Sequence, residues 1–155
     1  MKNLYVLVGV PGSGKSTWVK NQDWLKDCAY ISTDMWIDME AERTGKTYSD
    51  VFTEYMPKAI KLMTHHVELA KEKGMDIVWD QTSTTVGARA KKLRMCPDYN
   101  AIAIVFKTPD NEELQRRLSG RVGKNIPWYV QETMASQLKN EPPTLEEGFT
   151  EIWEI

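Results

Sequence analysis

Short apolar runs alternate along the chain with longer stretches of mixed polarity. The apolar runs cover residues 4–8, 28–32, 76–80 and 101–107, and they are rich in aliphatic and β-branched side chains. Such runs are typical of strands that are buried on both faces. The stretches between them have helical length and spacing, at residues 15–22, 57–73, 86–95, 110–119 and 127–138. The alternation predicts an α/β fold, with a parallel sheet of four to five strands flanked by helices.

Proline and glycine mark the ends of several predicted helices. Pro57 and Pro127 stand at the first positions of two of them, and Gly74 follows the end of one. These positions agree with the terminal preferences of both residue types. Residues 149–155 are expected to add a closing strand. Because 155 residues is an ordinary size for one domain, we expect residues 1–155 to form a single domain.

The composition excludes several classes of protein. With 41% hydrophobic and 27% charged residues, the chain is neither disordered nor of low complexity. The apolar run at residues 4–8 is far shorter than the roughly 20 residues that span a bilayer, so we expect neither a signal peptide nor a membrane anchor. Cys28 and Cys96 lack the spacing of a zinc site or a disulfide framework. These features favour a protein of the reducing cytoplasm.

The net charge of -2 conceals an uneven distribution of charge. Residues 85–125 carry nine Lys and Arg against four Asp and Glu, whereas residues 126–155 carry one against six. A locally basic block of this kind is either a solvated surface or a surface that faces phosphate groups.

The strongest chemical signal is the sequence GVPGSGKS at residues 9–16, which lies between a predicted strand and a predicted helix. It fits the phosphate-binding loop G-x-x-x-x-G-K-[ST], in which glycines let backbone N–H groups surround a phosphate. We expect Lys15 to reach the β- and γ-phosphates of ATP and Ser16 to bind Mg²⁺. The nucleotide-binding residues are predicted to be Gly9, Pro11, Gly12, Ser13, Gly14, Lys15, Ser16 and Thr17. A second GKT sequence at residues 45–47 lacks the preceding strand and is interpreted as a loop.

Two aspartates follow predicted strands, at the edge of the sheet where reacting groups collect in open α/β folds. Asp34 is expected to accept the proton of an attacking hydroxyl or to orient that hydroxyl. Asp80 is expected to help hold Mg²⁺, and Asp80 and Thr82 to contact the acceptor. Each aspartate has a simpler alternative as part of a helix cap. Gln81 stands where hydrolytic ATPases commonly carry glutamate, which favours a transferase.

Arginines cluster in the sequence RRLSGRVGKN that begins at Arg116. Phosphoryl transfer requires cations that close over the developing charge, and we expect an arginine-bearing lid in which Arg121 is catalytic and Arg117 contacts ATP. Arg116 is equally well explained as part of a solvated helix face. Trp36, two residues past Asp34, is a candidate for stacking on a base of the substrate.

These motifs together resemble the 5′-kinase domain of phage polynucleotide kinases. The resemblance rests on GVPGSGKSTW, Asp34, Asp80-x-Thr82, the lid from Arg117 to Arg121, Ile126-Pro127 and EGFTEI, and it covers nearly the whole chain. It implies that Asp34 activates a 5′-hydroxyl, that Lys15 and Ser16 bind ATP and Mg²⁺, and that Arg121 clamps the transferring phosphate. The implied partner is a nucleic acid, DNA or RNA, in the host cytoplasm if a phage encodes the chain.

The resemblance leaves the acceptor open. The family places an arginine three residues after its catalytic aspartate, where this chain has Ile37. Apolar Trp36 and Ile37 would suit a flipped base, so a kinase acting on 5-hydroxymethyluracil in phage DNA is one alternative. A small-metabolite kinase is a second, although anionic substrates usually require arginines, and Arg43 is the only one between residues 35 and 88. A non-catalytic nucleotide-binding module is a third.

Overall fold

The computed structural model describes all residues from 1 to 155. The five strands are β1 (Asn3–Val8), β2 (Ala29–Ile31), β3 (Ile77–Trp79), β4 (Asn100–Val105) and β5 (Glu151–Glu154). The six α-helices are α1 (Lys15–Lys20), α2 (Asp34–Thr44), α3 (Tyr48–Glu72), α4 (Val86–Met95), α5 (Asn111–Ser119) and α6 (Trp128–Asn140). Two short 3₁₀ turns cover Asp23–Leu25 and Leu145–Glu147.

The strands form one sheet in the order β2-β3-β1-β4-β5, and every neighbouring pair is parallel. Val6 of the central strand lies opposite Trp79 on one side and Ala103 on the other. The parallel α/β fold and the closing strand are therefore confirmed. All five carboxyl ends lie at the same edge, which is where the loop at residues 9–16 leaves β1.

The alternation of side chains along β1 divides the core between the two faces of the sheet. Leu4, Val6 and Val8 belong to the larger cluster, which packs against α3 and includes Met63 and Val67. The residues between them on β1 face the second cluster, formed with side chains of β4 and of the turn after α1. Burial on both faces explains why the strands appear in the sequence as continuous apolar runs.

The segment between β2 and β3 differs most from the expectation. The helix expected to begin at Pro57 begins instead at Tyr48, and Pro57 lies inside it. A capping box sets this start, because Thr47 Oγ1 accepts from the Asp50 amide and Asp50 Oδ2 accepts from the Thr47 amide. Helix α2 is not predicted by the sequence pattern, because only Ile37 and Ala41 along it are buried.

The remaining boundaries agree closely with the sequence pattern. Helix α4 spans the predicted residues 86–95, and α1 ends two residues before its predicted end at 22. Asp110 and Pro127 are N-cap residues and not the first helical residues. Gly45 ends α2 with a left-handed φ of 70°, so the second GKT is the turn between two helices, which confirms its interpretation as a loop. None of the helices combines the length and apolar character needed to cross a bilayer.

The basic block at residues 85–125 is partly structural. Arg89 is fully buried and forms an ion pair with Glu147 at 2.7 Å. Lys92 is also buried, with its ammonium 5.4 Å from the ring centroid of Trp79. Three more of the nine cations, Arg116, Arg117 and Lys124, pair with acidic side chains. The block is therefore not a continuous surface for a polyanion.

Candidate active site

The loop at residues 9–16 leaves a set of backbone amides without a partner. The N–H groups of Gly12, Gly14, Lys15, Ser16 and Thr17 make no hydrogen bond within the protein. Gly12 and Gly14 adopt φ values of 83° and 98°, which only glycine adopts readily and which allow the chain to curl. Successive free amides at the start of a helix form a site for a phosphate group.

Side chains hold the same loop through its carbonyl groups. Lys15 Nζ donates to the carbonyls of residues 9 and 10 at 2.9 Å each. Gln131 Nε2 of α6 donates to the Pro11 carbonyl at 2.6 Å, and Arg117 Nη1 of α5 donates to the Gly12 carbonyl at 2.8 Å. With four consecutive carbonyls engaged in this way, the free amides are left to receive an anion.

Lys15 is buried at the centre of this arrangement, with 8% of its surface exposed. Burial lowers the pKa of its ammonium to about 8, and the Asp80 carboxylate opposes that shift. A triphosphate would restore the electrostatic partner that this partly desolvated cation lacks in the free protein.

Ser16 and Asp80 meet at the carboxyl edge of the sheet. Ser16 Oγ donates to Asp80 Oδ2 at 2.7 Å, and the Tyr30 hydroxyl donates to the same oxygen. Burial and the Asp80 carboxylate raise the pKa of Tyr30, so its hydroxyl stays protonated and remains a donor. A hydroxyl and a carboxylate are the oxygen ligands that Mg²⁺ prefers, so these residues fit a magnesium site beside the phosphates.

The segment after Asp80 contacts the loop through its backbone. The Thr82 carbonyl accepts a hydrogen bond from the Gly9 amide at 3.0 Å. Gln81 connects Trp79 to Thr33 through its side-chain amide. Contact of Thr82 with an acceptor therefore stays a prediction, whereas its support of the phosphate loop is observed.

Asp34 is the first residue of α2, and both of its carboxylate oxygens are engaged. Oδ1 accepts from the Tyr48 hydroxyl at 2.6 Å, and Oδ2 accepts from Lys124 Nζ at 2.9 Å. Partial burial raises the pKa of Asp34, but Lys124, Tyr48 and the more distant Lys15 together lower it further, so the net pKa is below its ordinary value. Asp34 is therefore ionised at neutral pH, as a proton acceptor must be.

The lid lies between α5 and α6 and is attached to the start of α3. The Ser49 amide donates to the Gly123 carbonyl at 3.0 Å, and the Asn125 amide donates to Ser49 Oγ at 2.8 Å. Gly123 has a φ of 74°, and a Cβ placed there would lie 2.9 Å from Thr47 Cβ. Only glycine fits this contact, so the lid closes against one defined point.

The three arginines near the lid have different surroundings. Arg121 is exposed, and its guanidinium makes no hydrogen bond or ion pair. Arg116 is paired with Glu113 on the surface of α5, in agreement with a solvated helix face. Arg117 bonds both Glu113 and the loop carbonyl, so in this conformation it supports the loop. Its direct contact with ATP stays a prediction.

Ile37 and Trp36, which follow Asp34 in α2, differ in their burial. Ile37 is fully buried in the cluster between α2 and α3. The Trp36 ring packs against two core clusters and lies edge-to-face with His66 at 6.1 Å, and its indole nitrogen is buried. Ile37 therefore cannot line a site for a flipped base, whereas stacking of the half-buried Trp36 on a base stays a prediction.

Four site residues escape sequence reasoning: Tyr30, Tyr48, Lys124 and Gln131. Lys124 offers the clearest signal, since it is a second cation in the lid three residues after Arg121. Tyr48 follows the capping residue of a helix whose start the pattern did not show. Tyr30 and Gln131 resemble ordinary strand and helix residues, and only the folding of distant segments brings them to the loop.

Comparisons with known proteins agree with this arrangement. Residues 4–141 match the AAA_33 family, described as an AAA domain. The shikimate kinase from Acinetobacter baumannii, solved with shikimate, is 18% identical with a TM-score of 0.58, over 100% of this chain and 84% of that one. The PezAT toxin–antitoxin system of Streptococcus pneumoniae is 18% identical with a TM-score of 0.68, over 99% and 69%. The Pnkp1/Rnl/Hen1 complex is 19% identical with a TM-score of 0.54, over 81% and 41%. At these identities the likeness shows the fold, which is that of the P-loop kinases.

Proposed function

We propose that this chain, which belongs to the AAA_33 family of AAA domains and is a P-loop kinase, transfers the γ-phosphate of Mg-ATP to a hydroxyl of a nucleic acid. The acceptor that we propose is the 5′-hydroxyl end of a polynucleotide. The whole described chain would act as one catalytic domain.

One observation supports a nucleoside triphosphate as the phosphate donor. Unpartnered amides at residues 12 and 14–17, the buried Lys15 ammonium and the Ser16–Asp80 pair converge on one small region. A site that binds the triphosphate of a nucleotide, whatever its base, requires three features. These are amides for the phosphates, a cation between the phosphates, and oxygen ligands for Mg²⁺. When bound, Mg²⁺ would neutralise phosphate charge, held by Ser16 and, directly or through water, by Asp80.

The proposed reaction is an in-line displacement. The acceptor oxygen forms a bond to the γ-phosphorus while the bond from that phosphorus to the β–γ bridging oxygen breaks, and ADP leaves. The acceptor proton passes to the Asp34 carboxylate. Arg121, which has no partner in the protein, is free to neutralise the charge that develops on the transferring group. Positioning and electrostatics supply most of the catalysis.

The nucleic-acid acceptor is supported by the set of motifs that resembles the polynucleotide 5′-kinases, which extends from the loop to EGFTEI near the end of the chain. One structure of similar fold is a complex that contains Pnkp1. The 5-hydroxymethyluracil alternative no longer includes Ile37, which is buried, and depends on the half-buried Trp36 alone.

A small-metabolite kinase is a second candidate, and the charge distribution favours it. Of the nine cations at residues 85–125, only Lys91, Arg94, Lys107 and Arg121 are free of ion pairs and side-chain hydrogen bonds and also outside the core. This is a small number for a surface that tracks a phosphate backbone. A kinase that encloses a small polyhydroxylated acceptor needs no such surface.

Phosphate transfer from labelled ATP to a panel of acceptors tests the proposal. The panel contains a 5′-hydroxyl oligonucleotide, a duplex with 5-hydroxymethyluracil, gluconate and shikimate. We expect label at the oligonucleotide terminus and loss of turnover in Asp34→Ala, with Mg-ATP binding by calorimetry retained. Label on a metabolite alone would select the second candidate.

Two results would contradict the mechanism. Full turnover in Asp34→Ala would exclude Asp34 as the proton acceptor. Binding of Mg-ATP without transfer to any acceptor in the panel would favour a non-catalytic nucleotide-binding module.

A further inference from the structure

The Asp34 carboxylate lies between two groups that come from different parts of the fold. Tyr48 is the first residue of α3, and its hydroxyl bonds Oδ1 at 2.6 Å. Lys124 belongs to the lid, and its ammonium bonds Oδ2 at 2.9 Å. The same ammonium lies 4.3 Å from the centroid of the Tyr48 ring, so the three side chains form one connected unit.

The two partners differ in their freedom to move. Tyr48 lies within the capping box of a 25-residue helix, between Thr47 and Asp50, which fixes its backbone. Lys124 is carried by a lid whose backbone is joined to α3 only through Ser49. Its side chain is 20% exposed, whereas that of Asp34 is 51% exposed, so the Asp34 side chain is the more accessible of the two. An incoming group can therefore reach the Asp34 side chain from solvent.

We propose that Tyr48 and Lys124 are positioning residues for Asp34: Tyr48 fixes the carboxylate through Oδ1, and Lys124 occupies Oδ2 until an acceptor hydroxyl replaces it. This inference rests on the proposed function, in which Asp34 accepts the acceptor proton. The free protein thus holds its base in the reactive orientation with the reactive oxygen masked. The Lys124 ammonium also keeps the Asp34 carboxylate paired with an opposite charge when no acceptor is bound.

The electrostatic surroundings of Asp34 agree with this division of roles. Around it stand the Lys15 ammonium from α1, the Asp38 carboxylate from its own helix, the Tyr30 and Tyr48 hydroxyls and the Lys124 ammonium. Lys124 is the largest of the influences that lower the pKa of Asp34, and the hydrogen bond from Tyr48 follows it. Loss of either partner should therefore raise the pKa of this carboxyl toward or above its ordinary range.

Carboxyl-carbon NMR of the ligand-free protein tests the arrangement without any acceptor. Wild-type Asp34 is expected to titrate below the ordinary aspartate range, and Lys124→Met and Tyr48→Phe are each expected to raise its pKa. Lys61→Met and Tyr55→Phe on α3 are matched controls that should leave it unchanged. An unchanged Asp34 pKa in either site variant overturns the role of that residue, whatever the activity of the protein.

Steady-state kinetics with the acceptor that wild type phosphorylates separate the two roles. Lys124→Met should lower the KM for the acceptor by on the order of tenfold, because no charge-assisted hydrogen bond needs to be displaced. Tyr48→Phe should lower kcat by about 10- to 100-fold with little change in KM, because the base loses its orientation. Lys124→Arg should restore the wild-type KM.

The outcomes distinguish this inference from the proposed function. A rise in the acceptor KM in Lys124→Met would show that Lys124 binds the acceptor and does not mask the base. If Tyr48→Phe lowers the melting temperature as well as kcat, the loss of activity reflects a structural role of Tyr48 and not the positioning of Asp34. If wild type transfers phosphate to no acceptor, the proposed function fails, and the NMR titration still decides the arrangement around Asp34.

Discussion

Lys15, Asp34 and Arg121 are three charged side chains in three different states of pairing. Lys15 is buried on loop carbonyls, Asp34 is bonded on both oxygens, and Arg121 is exposed without a partner. An unpaired guanidinium on a lid is free to reorient toward negative charge. Since arginine can grip two phosphate oxygens at once, lysine is a poor replacement at such a position.

We predict that Arg121→Ala lowers kcat by on the order of 10³-fold, by analogy with arginines that stabilise phosphoryl transfer elsewhere. Binding of Mg-ATP should weaken far less, because the loop amides, Lys15 and the Ser16–Asp80 pair remain. Arg116→Ala is the matched control, since Arg116 pairs only with Glu113 on the helix surface. Turnover within a few-fold of wild type in Arg121→Ala would refute the catalytic role of this arginine.

At the scale of elements, two helices from a distant part of the chain hold the phosphate loop. Their bonding residues lie 105 and 120 positions after the loop residues that they contact. Helix α5 contributes Arg117 and α6 contributes Gln131, and the lid that joins these helices closes on the start of α3. The helices that support the loop are therefore the same two that flank the lid. Where Gly123 of the lid meets Thr47 at the start of α3, a single methyl group has no room.

We predict that Gly123→Ala prevents lid closure, because the new Cβ would lie 2.9 Å from Thr47 Cβ and the φ of 74° disfavours alanine. Turnover should fall by at least tenfold, comparable with other small misplacements of catalytic groups. The melting temperature should change little, since the lid is a surface segment. Gly87→Ala is the control, because nothing lies within 4 Å of its Cβ position in α4. A wild-type rate in Gly123→Ala would mean that closure does not need this contact.

At the scale of the whole molecule, a buried arginine ties α4 to the end of the chain. Arg89 donates to both oxygens of Glu147, to the Ser83 carbonyl and to the Glu141 carbonyl. These bonds fix the segment that leads into β5, and so they hold the edge strand on the sheet. Each of the three guanidinium nitrogens donates at least one hydrogen bond, and pairing of this kind is what allows a charge to be buried.

We predict that Arg89→Ala lowers the free energy of unfolding by about 3–5 kcal/mol, because it leaves the Glu147 carboxylate buried without its cation. The double variant Arg89→Met with Glu147→Gln should recover part of the loss, since no unpaired charge remains. Urea unfolding measures both, and Arg43→Ala, on the exposed surface of α2, should leave stability unchanged. If Arg89→Ala unfolds at the wild-type urea concentration, the ion pair does not stabilise the C-terminal segment.

The sequence alone predicts the strands, the phosphate loop and the two aspartates at the edge of the sheet. The strands are continuous apolar runs because both faces of the sheet are covered. The loop GVPGSGKS is recognisable because its glycines, its lysine and its backbone amides, all close in sequence, supply most of the phosphate site. Asp34 and Asp80 were located by their positions after strands, since parallel strands bring their carboxyl ends to one edge. These inferences need only neighbours in the chain and the period of the side chains.

The tertiary structure alone decided what surrounds those residues. Helix α2 turns Ile37 into the core, so the side chain that seemed to select the acceptor cannot touch it. Lys124 reaches Asp34 across 90 positions of sequence, and Gln131 reaches Pro11 across 120. No periodic pattern encodes such pairs, because a contact between distant segments depends on how every element between them packs. The sequence therefore determined which chemistry is present, and packing determined which partner each reactive group has.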